Sequence, residues 1–207
     1  MTSSTGLRQR KKQQMSQTLW ETAIMMFLRD GYDAVTVNQI AAAAGVSKMT
    51  VFNYFASKED LAVHPIASHV KDLASAVRDR LDQPVVEALR AWYLAALDRR
   101  DPVVGLDDNP GVLAVRRMLR DTPALAQRVC ALGYEARDLL AAEISGTEEQ
   151  PTVMTHVRAG QIIATVEALI AENLRRLLAG ESVDAVHADA VVLAHAAFDT
   201  LDTARPQ

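Results

Sequence analysis

Between Thr36 and Leu61 the chain reads TVNQIAAAAGVSKMTVFNYFASKEDL, and its caps leave room for only two short helices around a tight turn. Thr36 is a good N-cap residue. Val37, Ile40, Ala41 and Ala44 follow at i, i+3, i+4 and i+7, which makes one apolar helical face. The run Ala41 to Ala44 keeps that helix thin, so a second helix can cross it closely. Gly45 stands where the first helix must end in a left-handed residue, a conformation that glycine adopts without steric cost. Val46 fills the angle, and Ser47 is a second N-cap, opening a helix expected from Lys48 to about Phe55. Val51 and Phe55 face inward at i, i+4.

Lys48, Met49, Thr50, Asn53 and Tyr54 are left to project outward, and these side chains suit a DNA major groove. Asparagine can pair bidentately with adenine, threonine can hydrogen-bond or touch a thymine methyl, and lysine can reach guanine or phosphate. Tyr54 is better suited to fixing position on a phosphate than to reading a base. Ser47, Lys58 and Thr36 stand at helix starts, where backbone N–H groups and the helix dipole attract phosphate.

The segment resembles the DNA-binding domain of TetR-family transcriptional repressors. In that family a threonine precedes the second helix, Ala-x-x-Ala-Gly-Val-Ser spans the turn, and an aromatic element closes the recognition helix. A Ser/Asn-Lys-Glu/Asp-x-Leu element then opens the fourth helix. Here those positions are Thr36, Ala41, Ala44-Gly45-Val46-Ser47, Phe52-Asn53-Tyr54-Phe55 and Ser57-Lys58-Glu59-Asp60-Leu61, preceded by Phe27, Gly31 and Tyr32. The match is dense over about Leu19 to Leu61; beyond that it is one of length and helical texture. Phe52 stands where many members have tyrosine, and Met49 where glycine or proline is common. Both departures bear on the choice of operator.

Composition agrees with a helical reading: of the 207 residues 49% are hydrophobic and only 5% aromatic. The net charge of −4 is unevenly spread. Residues 1–60 hold seven Lys/Arg against five Asp/Glu, leaving fifteen of the 22 basic and twenty-one of the 26 acidic residues to the rest. An acidic body with a mildly basic end favours approach to DNA by that end. Arg8, Arg10, Lys11 and Lys12 form a basic cluster before the first helix. It reads equally as a solvated arm or as one lying along phosphates or in the minor groove.

The remainder reads as successive helices punctuated by proline and glycine. His64-Pro65 interrupts the helix begun at Lys58, and the pattern resumes to about Leu81. Pro84 opens a helix to about Asp98. Asp101 to Gly111 is the richest loop signal, serving as a connector or as a gate. Helices follow over about 111–120 and, after Thr122-Pro123, to about Ser145. A polar loop over 145–150 precedes the longest helix, from Pro151 to near Gly180. Ser182 caps the last, ending near Thr203. The chain is thus expected to be all-α. An N-terminal three-helix helix-turn-helix domain occupies residues 1–57, of which 1–12 form a flexible basic arm. A larger helical ligand-binding and dimerisation domain occupies 58–207.

Two apolar stripes mark the last two helices: Ala159, Ile163, Val166, Ile170, Leu174 and Leu177, then Val186, Ala190, Leu193, Ala197 and Leu201. Part of each must be core. The resemblance implies that these helices pair with their two-fold mates, giving a homodimer that reads a palindrome with heads roughly 34–36 Å apart. It also implies a pocket for a small-molecule inducer within about 61–179. Its candidate walls are Trp92, Tyr93, Met118, Cys130 and Tyr134, with Arg137 or His156 as polar anchors, set against ordinary packing or exposure for each. Ligand would shift the dimer between two spacings of its reading heads, with His64-Pro65 as the hinge.

An enzyme is the main rival class. The five histidines (His64, His69, His156, His187, His195) show no metal-ligand spacing, and neither a Gly-rich phosphate loop nor a GxSxG elbow is present. No cofactor or metal is expected. A second rival is a helical interaction protein whose helix-turn-helix reads nothing. The single Cys130, between Val129 and Ala131, reads as a buried structural thiol and excludes an intramolecular disulfide, which fits the cytoplasm.

Overall fold

The computed structural model describes residues 3–80, 82–146 and 150–202. The helix ends expected near Leu81 and Thr203, residues 147–149 of the loop expected over 145–150, and residues 1–2 of the expected arm lie outside the described residues. Eleven α-helices are present among the described residues: α1 (Ser3–Asp30), α2 (Val37–Ala43), α3 (Lys48–Phe52), α4 (Lys58–Ala62), α5 (His64–Ala67), α6 (Asp72–Arg78), α7 (Val85–Asp98), α8 (Pro110–Asp121), α9 (Pro123–Ser145), α10 (Val153–Leu178) and α11 (Val183–Asp202). A 3-10 turn covers Pro102–Val104. The longest helix is α1, not α10. It starts at Ser3 and takes in the basic cluster read as an arm, with Arg10, Lys11 and Lys12 exposed.

The chain divides into two compact units. Unit 1 holds the residues up to Ala67 together with Ala114–Val129; unit 2 holds Ser68–Leu113 and the residues from Cys130 on. α4 and α5 therefore group with the helices before them. The interruption at His64-Pro65 is a restart: α4 ends at Ala62, Val63 caps it, and α5 begins at His64.

In unit 1, α1 packs on α2 and α4. Leu19, Ala23 and Phe27 line its inner face, meeting Ile40 and Ala41 of α2 and Leu61 and Ala62 of α4 as buried residues. The first turn of α4 is tied to the turn that follows α1. Lys58 Nζ donates to the carbonyls of Tyr32 (2.8 Å) and Val35 (3.1 Å) and sits 4.0 Å from the Tyr32 ring centroid. The next residue, Glu59, accepts a 2.8 Å hydrogen bond from the Tyr32 hydroxyl. Asp60 then accepts from Arg128 Nε at 2.7 Å and from the Ser57 hydroxyl at 2.9 Å. His64 lies edge-on to Phe55, with ring centroids 5.1 Å apart, and its Nε2 is 3.3 Å from Ser16 Oγ. Burial lowers the His64 pKa and favours the neutral ring.

Unit 2 is built on α7, α10 and α11: α11 packs on both of the others, and the three share a core that includes Tyr93, Leu89, Leu97, Ile162, Val186 and Phe198. The stretch read as the richest loop signal is anchored rather than free over its first half. Val104 and Leu106 are fully buried, and Asn173, 3% exposed, donates to the Val104 carbonyl at 2.9 Å and to Tyr93 Oη at 3.4 Å. Between them Gly105 has φ +72°, and a Cβ there would stand 2.9 Å from the Ile170 carbonyl oxygen. No side chain fits both that backbone and that approach.

Two outcomes follow. Gly105→Ala is expected to lower unfolding stability by about 2 kcal/mol or more, from left-handed backbone strain and contact with α10, read by urea denaturation. The second concerns pH. The Tyr32 hydrogen bond holds the Glu59 carboxyl below its ordinary value of 4.5. The stability this contributes is full above that value and is lost as pH falls through the lower folded value. Tyr32→Phe should therefore cost about 1 kcal/mol at neutral pH and progressively less in acid, checked by urea midpoints across that range.

Candidate nucleic-acid interface

The turn and recognition elements form as their local chemistry dictates. Thr36 closes a capping box: its hydroxyl accepts the Gln39 N–H, and the Gln39 side-chain oxygen accepts the Thr36 N–H at 2.8 Å. After α2, Gly45 takes φ +68°, and the Val46 N–H returns to the Ala41 carbonyl at 2.9 Å, satisfying carbonyls that the helix end leaves open. Ser47 caps α3, accepting the Thr50 N–H at 3.0 Å.

α3 is shorter than expected, five residues, with Asn53 as its C-cap. An isolated helix needs about 12–15 residues to persist in water, so this one is held from outside. Val51 and Phe55 are 2% and 5% exposed, and burial of each side chain contributes roughly 1.5–3 kcal/mol. That anchoring decides which face is presented.

Seven of the eight predicted contact residues fall into three groups. Lys48, Met49 and Asn53 are exposed together, Met49 at 68%. Thr50 and Tyr54, one turn apart, are half-buried, and the Thr50 hydroxyl lies 2.8 Å from that of Ser47. Thr36 and Ser47 are exposed at the starts of α2 and α3, beside the N–H groups they cap. Lys58 stands apart, because its ammonium points into the α1–α2 turn.

Phe52 was not among the expected contacts, yet it is 40% exposed, with Lys48 Nζ 5.8 Å from its ring centroid. The available signal was its position four residues after Lys48, on the same helical face. The exposed edge thus combines a cation, an amide and two apolar side chains, the mixture needed to meet phosphate, base edges and thymine methyl groups.

The residues expected around a ligand fall in both units. Met118 belongs to unit 1 and the other six to unit 2. Tyr93 is fully buried in the core beside Phe198, their ring centroids 6.0 Å apart, and burial pushes its phenol up; Trp92 next to it is half-buried. Tyr134 is 63% exposed with the Arg137 guanidinium 5.1 Å from its ring centroid, and Arg137 also pairs with Asp138 at 2.9 Å. His156 Nδ1 lies 3.8 Å from the same Asp138 carboxylate.

Cys130 is exposed, which corrects its reading as a buried thiol. Leu125 and Leu132 are the buried leucines nearest to Cys130 on α9, and at 100° per residue Cys130 stands about 140° and 160° around the helix from them, whatever its immediate neighbours are. One further residue, Glu167, went unnoticed in the sequence. Its Oε1 lies 2.7 Å from where a Cβ on Gly133 would stand, and desolvation raises its carboxyl pKa.

A shallow groove of about 650 Å³ runs between α10 and α11, lined among others by Ala164, Thr165, Ala168, Leu193, Ala196 and Thr200. The stripes read from sequence turn mostly inward instead: Ala159, Ile163, Val166, Leu177, Val186, Ala190 and Leu201 are buried, while Leu193 is 42% exposed. Among the described residues no three His, Cys, Asp or Glu side chains come together to hold a metal ion, and no helix is long and apolar enough to cross a membrane.

Comparison with known proteins bears on this geometry. Residues 19–64 match the model of bacterial regulatory proteins of the tetR family. The HTH-type transcriptional regulator TcmR of Streptomyces glaucescens is 34% identical over 146 residues, 69% of this chain and 64% of its own length. The HTH-type transcriptional repressor LfrR of Mycolicibacterium smegmatis is 37% identical over 95 residues, 44% of this chain and 49% of its own. The chain thus spans less than two thirds of these relatives. NalD, the secondary repressor of the MexAB-OprM multidrug efflux pump in Pseudomonas aeruginosa, shares the fold at a TM-score of 0.56 and 17% identity, over 91% of this chain and 96% of its own. Through residues 19–64 the chain belongs to the tetR family of bacterial regulatory proteins, with an N-terminal helix-turn-helix domain followed by a helical C-terminal region.

Proposed function

We propose that the chain is a sequence-specific DNA-binding transcriptional regulator, acting in the cytoplasm as a homodimer that a small molecule releases from a palindromic operator. The observation that carries this reading is the exposed edge of α3, with Lys48, Met49 and Asn53 held outward by the Ser47 cap and by buried Val51 and Phe55. Lys48 meets phosphate or guanine, Asn53 reads adenine, and Met49 meets thymine methyl groups. Tyr54, Thr50, Ser47 and Thr36 fix register on the backbone through hydroxyl and amide groups. Lys58 contributes by holding the frame, and the N–H groups at the start of α4 face phosphate.

Two copies supply the second half-site. The groove between α10 and α11, continued by Val192 (67% exposed) and by Val153 and Val157 at the start of α10 (78% and 45%), is the apolar face that pairing would cover. The inducer contacts proposed are Tyr134, Arg137 and His156 around Asp138, with Trp92, Tyr93, Met118 and Cys130 as the remaining candidates. Ligand weakens DNA binding by the ratio of its affinities for the two states of the dimer. Repression is the sign of regulation this reading carries. It competes with that of a helical interaction protein that reads no DNA.

Selection from a random duplex pool with purified protein at near-physiological salt tests the reading. Enrichment of a two-fold palindrome is expected; only weak, salt-sensitive binding from protein refolded free of ligand would reject it. On the enriched site, Asn53→Ala should cost roughly 1–3 kcal/mol and relax base choice at one position of each half-site. Lys48→Ala should weaken all sequences alike and reduce the salt slope by about one charge per head if the lysine meets phosphate, or relax base choice at one position if it meets guanine. Leu193→Glu combined with Ala196→Glu should give monomers in sedimentation and binding to half-sites only.

A further inference from the structure

Residues 114–129 belong to the same compact unit as the helix-turn-helix, although α6 and α7 lie between them in the chain. Two observations give that grouping chemical content. Leu119 and Leu125 in this segment are 4% and 0% exposed, and neither joins the large apolar core of unit 2. Arg128, in the second turn of α9, donates from Nε to Asp60 Oδ1 at 2.7 Å, and the two side chains are only 29% and 24% exposed. The partner oxygen of Asp60 accepts from Ser57, the N-cap of α4, whose hydroxyl also accepts the Asp60 N–H at 2.9 Å. A partly shielded ion pair that also engages a helix cap fixes orientation more firmly than a pair at an open surface.

Ser57 lies two residues beyond Phe55, the buried anchor of the recognition element. We propose that Arg128 is a positioning residue for DNA reading. Through Asp60 it holds the start of α4, and with it the presentation of α3, so the reading head comprises α1 to α4 and residues 114–129 rather than the first three helices alone. Lys58 and Glu59 bind the same turn of α4 to Tyr32 and Val35, so the turn is gripped from both sides. The inference rests on the DNA-binding reading above, but it concerns a residue outside the helix-turn-helix.

The experiment uses the full chain and the duplex enriched by selection. Operator affinity is measured over a salt series for the unaltered protein, Arg128→Ala, Asp60→Ala, the double variant and Arg128→Lys. Each alanine variant is expected to bind roughly fivefold more weakly, the double variant no more weakly than either single one, and Arg128→Lys nearly as well as the unaltered protein. The slope of log affinity against log salt should stay unchanged in all, because Arg128 neutralises no phosphate.

Single variants that bind like the unaltered protein would overturn the proposal. A slope reduced by about one charge in Arg128→Ala would also overturn it, making Arg128 a phosphate contact. If an alanine variant fails to melt cooperatively, Arg128→Gln and Asp60→Asn replace it: a roughly fivefold loss in each with an unchanged slope supports positioning, and a slope reduced by about one charge in Arg128→Gln overturns it. An unaltered protein that selects no duplex would remove the DNA-binding reading itself, a failure visible before any variant is made.

Discussion

The first turn of α4 is where the N-terminal unit is fastened: two of its charged side chains hold the turn after α1, and the third holds α9. The Lys58 ammonium satisfies two carbonyls of the turn leaving α1, a place where backbone acceptors would otherwise lie half-buried without a donor. Glu59 takes the Tyr32 hydroxyl, and Asp60 takes Arg128. Desolvation of the Glu59 carboxyl and the Tyr32 phenol is offset by the hydrogen bond between them, so the turn gains direction as well as stability. A five-residue recognition helix has no rigidity of its own. What it presents to solvent depends on the frame behind it, and that frame is this turn together with buried Val51 and Phe55.

Much of this was legible because the sequence marks helix ends with groups of definite geometry. Thr36, Ser47 and Ser57 cap α2, α3 and α4, and Pro84, Pro123 and Thr152 stand at the starts of α7, α9 and α10, within a residue or two of their expected positions. Gly45 takes the left-handed conformation its place required. Thr36, Gly45, Ser47 and Ser57 all lie within residues 19–64, the stretch that matches the tetR family. The start of α1 was less legible: a basic, polar run carries no apolar period, yet its residues have good helical propensity and continue the helix backwards.

What the sequence did not reveal concerns where long side chains go. Lys58 occupies a position that suits phosphate, and only the fold discloses two nearer acceptors. Asp60 and Arg128 are far apart in the chain, and no periodicity pairs them. The α10 and α11 stripes were found correctly as apolar, but several sides of each helix are apolar. Counting alone cannot separate the side that faces α7 from the side that carries Ala164, Ala168 and Leu193. The expected ligand residues have chemical type in common, and type says little about burial: Tyr93 is closed in the core while Tyr134 faces solvent.

The exposure of Cys130 has a practical consequence. The chain has one cysteine, placed in α9 two residues past Arg128. A thiol-directed spin label or fluorophore would therefore attach at a single site without any background substitution. In a two-fold assembly it would provide one symmetric pair of probes, so a single distance distribution would report on how that helix responds when DNA is bound or released.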